Sequence, residues 1–228
     1  MSIVKNFDIK TWLRLATVVV VIGLLLFLPA NTVDYWQAWF YLTFVFSASI
    51  LMTIYLMRKD PALLKRRSSD GPLAEKRVPQ KIAMLIVSVG FIGTMIVPAV
   101  DHRFGWSHVA LYATVAGDVL LALGYYVVFL VTKQNTFASA KVELAQDQRV
   151  ISTGPYALVR HPMYSGLALS FFGTPLALGS YWGLLASVVM AIGLIWRLYD
   201  EEKFLVEKLQ GYAEYRRQVR WRSIPGIF

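Results

Sequence analysis

The chain has 228 residues, 57% of them hydrophobic and only 16% charged, a balance too apolar for an ordinary soluble domain and suited to a membrane protein. Its formal charge of +9 does not indicate nucleic acid, because the basic residues stand in short runs between apolar segments rather than on one face of a soluble module. Cysteine is absent, which excludes disulfides, thiolate metal sites and a cysteine nucleophile. The three histidines, His102, His108 and His161, lack paired ligand spacing, so no metal site is expected.

A spanning helix needs about 20 mainly apolar residues. Residues 12–28 form the first such segment, and the following "LFLPANTVDYW" carries no small-x-small cleavage pattern, so a retained helix is expected. Residues 35–57 form the second. The polar stretch after it, "MRKDPALLKRRSSDGPLAEKRVPQK", reads as a basic loop lying on the membrane surface. Residues 82–100 and 109–131 are the third and fourth spans. Asp118 falls about nine residues into the fourth, roughly 14 Å deep by helix rise, and an ionisable group at that depth is a candidate functional residue. Residues 164–198 are apolar but carry Gly173, Pro175, Gly179 and Gly183, which predicts a tight hairpin of two helices with the first short or irregular.

The cations test this arrangement, since cytoplasmic loops carry an excess of Lys and Arg. With both termini on the cytoplasmic side, 22 of the 23 basic residues fall there and only Arg103 does not. The predicted fold is therefore an all-α, polytopic integral membrane protein of five or six transmembrane helices. A C-terminal amphipathic helix is expected over residues 203–218, where Phe204, Leu205, Leu209 and Tyr212 fall at helical spacing. The chain divides into residues 1–108, holding spans and the basic loop, and 109–228, where the motifs lie.

The densest motif is "TGPYALVRHPMYSG", residues 153–166. Thr153-Gly154-Pro155 is a turn signal, and Pro162 stands where a helix can begin, with His161 as its cap. Such a helix start offers free amides and a positive dipole end for an anion, and Arg160 adds a fixed charge beside it. Tyr156 and Tyr164 could stack on a ligand or hydrogen bond to it, or serve as interfacial belt residues. After the last span comes an acidic cluster, Asp200, Glu201 and Glu202, out of keeping with an otherwise basic face.

Together, "GPYALVRHPMYSG", a Glu-Glu pair about 40 residues later and then "GYAEYRRQV" resemble the isoprenylcysteine carboxyl methyltransferase family and, more loosely, the phospholipid methyltransferases. The resemblance covers roughly residues 110–228. It implies a membrane enzyme using S-adenosylmethionine, with the cofactor lined by His161, Pro162 and Tyr164, flanked by Tyr156, Val159 and Arg160, and closed by Glu201 and Glu202. It implies a lipophilic or lipidated acceptor reached from membrane lipid, with the site on the cytoplasmic side. The ending "VRWRSIPGIF" departs from what the prenyl-protein enzymes lead one to expect, which leaves the acceptor open among isoprenylcysteine carboxylate, phospholipid amine and small thiol.

Displacement at a sulfonium methyl depends mainly on proximity and alignment. A carboxylate acceptor is already ionised and needs only a cation to position it, for which Arg160, Arg197, Arg220 and Arg222 are candidates. An amine would need a base, and Glu201 or Glu202 could act as one. Gln134, Asn135 and Ser139 could donate to either ligand or form a simple polar loop. His161→Ala is expected to weaken cofactor binding and Glu202→Gln to reduce turnover more than folding. Two other classes stand beside this reading: a small transporter, which would call for paired interrupted helices where only one pair is evident, and a nicotinamide-dependent membrane reductase.

Overall fold

The computed structural model describes residues 9–69, 75, 77–137, 142 and 148–228; Ser139 lies outside them. Among the described residues the chain is helical with no strand. Helices α1 (Ile9–Ala30), α2 (Trp36–Lys59), α4 (Val78–Phe104), α5 (Leu111–Gln134) and α7 (Gly183–Lys208) are the long ones. Each contains a segment long and apolar enough to cross a membrane. Between and after them lie α3 (Pro61–Ser69), a 3-10 turn (Gly154–Ala157), α6 (Pro162–Ala177) and α8 (Tyr212–Gln218). Large apolar side chains such as Leu85, Val89, Val119, Leu185 and Ile192 face outward, as helices dissolved in lipid require. The protein is a multi-pass membrane protein.

Two helix pairs form the frame, α5 with α6 and α4 with α7. Lipid gives helices no hydrophobic reason to associate, so close backbone approach and dispersion must hold them. Small residues provide that approach: Gly117 and Gly124 on α5 meet Gly166, Ser170 and Gly173 on α6, and Gly90 and Gly93 on α4 meet Met190 and Ala186 on α7. A Cβ at Gly124 would stand 2.2 Å from the Ser170 hydroxyl oxygen and 2.5 Å from the Gly166 carbonyl oxygen, so neither chain has room for a side chain there.

The hairpin between α6 and α7 is fastened by polar groups at the end of the bundle opposite the motif. Asp101, only 1% exposed, accepts hydrogen bonds from the Ser107 amide (2.7 Å) and hydroxyl (2.6 Å) and from the Ser180 hydroxyl. Ser180 in turn accepts from the Gly183 amide. Tyr35 donates to the Leu178 carbonyl at 2.6 Å and stacks on His102 with ring centres 4.0 Å apart. These bonds satisfy the buried polar atoms of the turn.

Two expectations need revision. The basic loop is not featureless: Pro61 opens α3, whose first turn is capped by Asp60 accepting from the Leu63 amide at 2.9 Å. The amphipathic helix expected over residues 203–218 is two pieces. Helix α7 runs on to Lys208, and Gly211, with φ +82°, turns the chain before α8. As expected of the hairpin's first helix, α6 is short: 16 residues, about 24 Å of rise, less than the ~30 Å hydrocarbon thickness.

Candidate active site

The turn and helix signals in residues 153–166 fold as their chemistry dictates. Gly154 takes φ +62° and Pro155 fixes the 3-10 turn. His161 is the cap of α6, with Pro162 at its first position, where a missing amide costs nothing. The chain after α8 then runs back along this segment. The amides of Arg160 and His161 donate to the carbonyls of Trp221 (2.9 Å) and Arg222 (2.7 Å), and the Ser165 hydroxyl donates to the Ser223 carbonyl.

Arg160 locks that return. Its Nε and Nη2 lie 2.7 and 2.6 Å from Glu202 Oε1, and its Nη1 donates to the carbonyls of Val219 and Arg220, both at 2.7 Å. Glu202 Oε2 accepts from Arg222 Nε at 2.8 Å. Arg160 and Glu202 are both buried. A fork so fully engaged with protein acceptors has little left to offer a ligand.

Glu201 faces the other way. Its Oε2 accepts from the Tyr164 hydroxyl at 2.6 Å, within a cavity of about 310 Å³ between α4, α5, α6 and α7, roofed by α8 and the segment before the 3-10 turn. That volume is at the lower end of the range for small-molecule sites. At its polar end the Tyr156 hydroxyl accepts from Asn135 Nδ2 at 2.7 Å, and burial pushes its pKa up to about 12, so it stays protonated. The Tyr215 hydroxyl donates to the Tyr156 carbonyl at 2.7 Å. At the apolar end Met84, Val87, Val128, Leu167, Phe171 and Leu194 continue the cavity between the spans. Arg197 borders it, held by Glu75 Oε1 at 2.7 Å and Gln80 Oε1 at 2.8 Å.

His161 lies at the polar end, its Nε2 3.1 Å from the Tyr212 hydroxyl. Burial lowers its pKa; the carboxylates of Glu201 and Glu202 oppose that shift, and the cations of Arg160 and Arg222 reinforce it. The imidazole is therefore neutral in the fold but titrates near 6.5 once unfolded. Below that value the unfolded chain binds the extra proton and stability falls. The apparent Tm in detergent should drop as pH is lowered from about 7 to 5.5, and His161→Gln should flatten that part of the profile.

Of the residues singled out by sequence, Tyr156, Arg160, His161, Tyr164 and Glu201 line the cavity, whereas Val159, Pro162, Glu202 and Arg220 do not. Val159 and Pro162 are buried behind it, and the Arg220 guanidinium lies over the Trp221 ring at 5.0 Å. Arg222 sits over the rings of Tyr199 and Phe228. Asp118, half-buried on α5, stands outside the cavity. Sequence reasoning missed Arg67 on α3, Met84 and Val87 on α4, and Tyr215 on α8 as cavity residues. Only the charge of Arg67 in an otherwise surface-bound loop offered any signal.

The described residues thus form a membrane helical protein with a cavity that joins a polar, aromatic-lined end to an apolar end. Residues 112–211 match the family model for phospholipid methyltransferase, the segment that carries the motif, α6 and α7. Over 125 residues the chain is 30% identical to protein-S-isoprenylcysteine O-methyltransferase of Saccharomyces cerevisiae, covering 51% of each chain. Over 108 residues it is 27% identical to the cobalt-zinc-cadmium resistance protein CzcN of Cupriavidus metallidurans, covering 46% of this chain and 50% of that one. The chain spans about half the length of the curated relatives it matches. Both the family model and the yeast relative agree with the resemblance carried by residues 154–166 and the Glu-Glu pair.

Proposed function

We propose that the protein is an S-adenosylmethionine-dependent methyltransferase of the membrane, acting on a lipophilic acceptor of the isoprenylcysteine carboxylate kind. The observation that carries this reading is the two-ended cavity: aromatic and charged groups at one end, an apolar passage between spans at the other, and Glu201 between them. The donor set suits such a cofactor. Tyr156, Tyr212 and Tyr215 present rings and hydroxyls for a nucleoside, and the Glu201 carboxylate offers the counter-charge that a sulfonium favours. The similarity to a carboxyl methyltransferase, together with phospholipid methyltransferase, supports the same class of chemistry.

When bound, the cofactor supplies an electrophilic methyl group on a cationic sulfur. The chain's part is to align and to exclude water. Tyr164 holds Glu201 in place through its hydroxyl, and Arg160, itself paired with Glu202, pins the chain that follows α8, whose Tyr212 and Tyr215 line the polar end. With Tyr164 and Glu201 holding the polar end, a carboxylate acceptor aligned there would take the methyl group at oxygen, giving a methyl ester and a neutral thioether. Opposite charges cancel toward that transition state, which a dry site favours over water. No proton moves, so no base is required. The excess of Lys and Arg in the loops supports a polar end on the cytoplasmic side, with both termini there.

Calorimetric titration of the detergent-purified protein with S-adenosylmethionine tests the reading, with NADPH as control ligand. Saturable binding of S-adenosylmethionine alone is expected, and His161→Ala should weaken it about tenfold or more by removing the group that meets Tyr212 at the cavity's polar end. Binding of NADPH instead would place the protein among reductases.

A further inference from the structure

Four arginines line the cavity: Arg67, Arg149, Arg160 and Arg197. Arg160 is held by Glu202 and two carbonyls, and Arg197 by Glu75 and Gln80. Arg149 is exposed at the mouth. Arg67 differs from all three. Its one hydrogen bond is from Nη1 to the Thr132 hydroxyl oxygen at 3.2 Å, and no carboxylate pairs with it among the described residues. Thr132 donates its own proton to the Val128 carbonyl at 2.7 Å, so its oxygen is left facing Arg67 as a neutral acceptor that orients the guanidinium without neutralising it.

A half-buried guanidinium with no counter-ion among the described residues is costly to keep. Burial lowers the Arg67 pKa, and the Tyr156 hydroxyl is the titratable group whose field it feels. Four of the guanidinium's five N–H donors remain for a ligand. We propose that Arg67 is the carboxylate receptor of the cavity, binding a ligand carboxylate in a forked pair and so setting which ligands the site accepts. The inference rests on the methyltransferase reading above and deepens it. Two ligands of that reaction carry this chemistry: the amino-acid end of the cofactor and the free carboxylate of the acceptor. Arg67 belongs to α3, outside residues 112–211, so the receptor comes from the half of the chain that the family model does not match.

The position of α3 does not depend on Arg67. Leu63 is fully buried, Asp60 caps the first turn, and Arg66 donates to the Thr136 carbonyl. Arg67→Gln should therefore fold and keep the wild-type Tm. The test compares wild type, Arg67→Gln and Arg67→Lys in the full-length detergent-purified protein. It measures Kd for S-adenosylhomocysteine and for 5′-methylthioadenosine, which lacks the amino-acid end, and KM for S-farnesylcysteine.

Loss of about tenfold or more in S-adenosylhomocysteine affinity in Arg67→Gln, with methylthioadenosine unchanged and partial recovery in Arg67→Lys, would assign Arg67 to the cofactor's carboxylate. Unchanged affinity for both nucleosides with a KM for S-farnesylcysteine raised by a similar factor would assign it to the acceptor. If all three values stay at wild-type levels, or if both nucleosides weaken in parallel, Arg67 is not a carboxylate receptor and the methyltransferase reading stands without it. A folded wild type that binds neither nucleoside overturns both.

Discussion

Replacing Glu202 with alanine is expected to lower the detergent-solubilised Tm by about 10 °C and to abolish cofactor binding, because it removes the anion on which the carboxy-terminal return depends. Arg160 and Arg222 converge on its two oxygens at 2.6–2.8 Å. Without it, two guanidinium groups face each other, one of them buried, and unpairing a buried ion pair typically costs about 3–5 kcal/mol. For a chain of this size each kcal/mol moves Tm by roughly 2–4 °C. The geometry shifts the expectation formed on sequence alone, that Glu202→Gln would affect turnover more than folding. Glu202 does not line the cavity; it fastens the segment that follows α8, the helix whose Tyr212 and Tyr215 do. Glu201→Gln gives the contrasting case: it keeps an acceptor for the Tyr164 hydroxyl, so Tm should hold while the cavity loses its carboxylate. A Glu202→Ala protein that melts with the wild type would show that the tail is held by its backbone hydrogen bonds alone.

The second large effect is expected at Gly124. A methyl group there would lie 2.2 Å from the Ser170 Oγ and 2.6 Å from the Ser170 amide nitrogen. The hydroxyl can rotate away, but the amide nitrogen cannot yield without moving α6 as a body. Overpacking of this sort costs about 1–3 kcal/mol and sometimes more. Because Asn135 caps the end of α5 and His161 the start of α6, prising the helices apart also displaces the two sides of the polar end. Gly124→Ala should therefore lower Tm and weaken cofactor binding together. Gly23→Ala on α1 is the internal control: nothing lies within 4 Å of the added carbon, and alanine is the better helix former. Thermal melts and calorimetry of the two variants side by side decide the point, and equal Tm values would mean that the α5–α6 seam is looser than its distances imply.

The spans were legible because runs of apolar residues announce themselves, but their ends were not. Hydropathy placed the third at residues 82–100, whereas α4 extends to Val78–Phe104, since its outer turns are polar on the surface and paired inside: Gln80 reaches Asp200, and Asp101 gathers two serines. Helix α3 escaped notice because nine residues with three cations carry no membrane signal. In the site, Tyr156, His161 and Tyr164 of the motif and Glu201 of the acidic cluster come to one cavity. The engagement of Arg160 could not be read, because two of its partners are carbonyl oxygens about 60 residues away, and a carbonyl has no sequence identity. Met84 and Val87 were hidden for the opposite reason: within an apolar span, the residues that wall a cavity look like those that touch lipid.

Helix α6 rises only about 24 Å, whereas α7 continues two turns past Glu201. The pair formed by Tyr164 and Glu201 is consequently sunk roughly 10 Å beneath the end of its own helix, at 1.5 Å per residue. A greasy acceptor can reach that depth by sliding sideways out of the surrounding lipid, while its water-soluble co-substrate must descend from above. On the proposed activity, the encounter is two-dimensional for one reactant and three-dimensional for the other, and the quantity that governs saturation by the acceptor is its proportion among lipid or detergent molecules rather than its amount per litre.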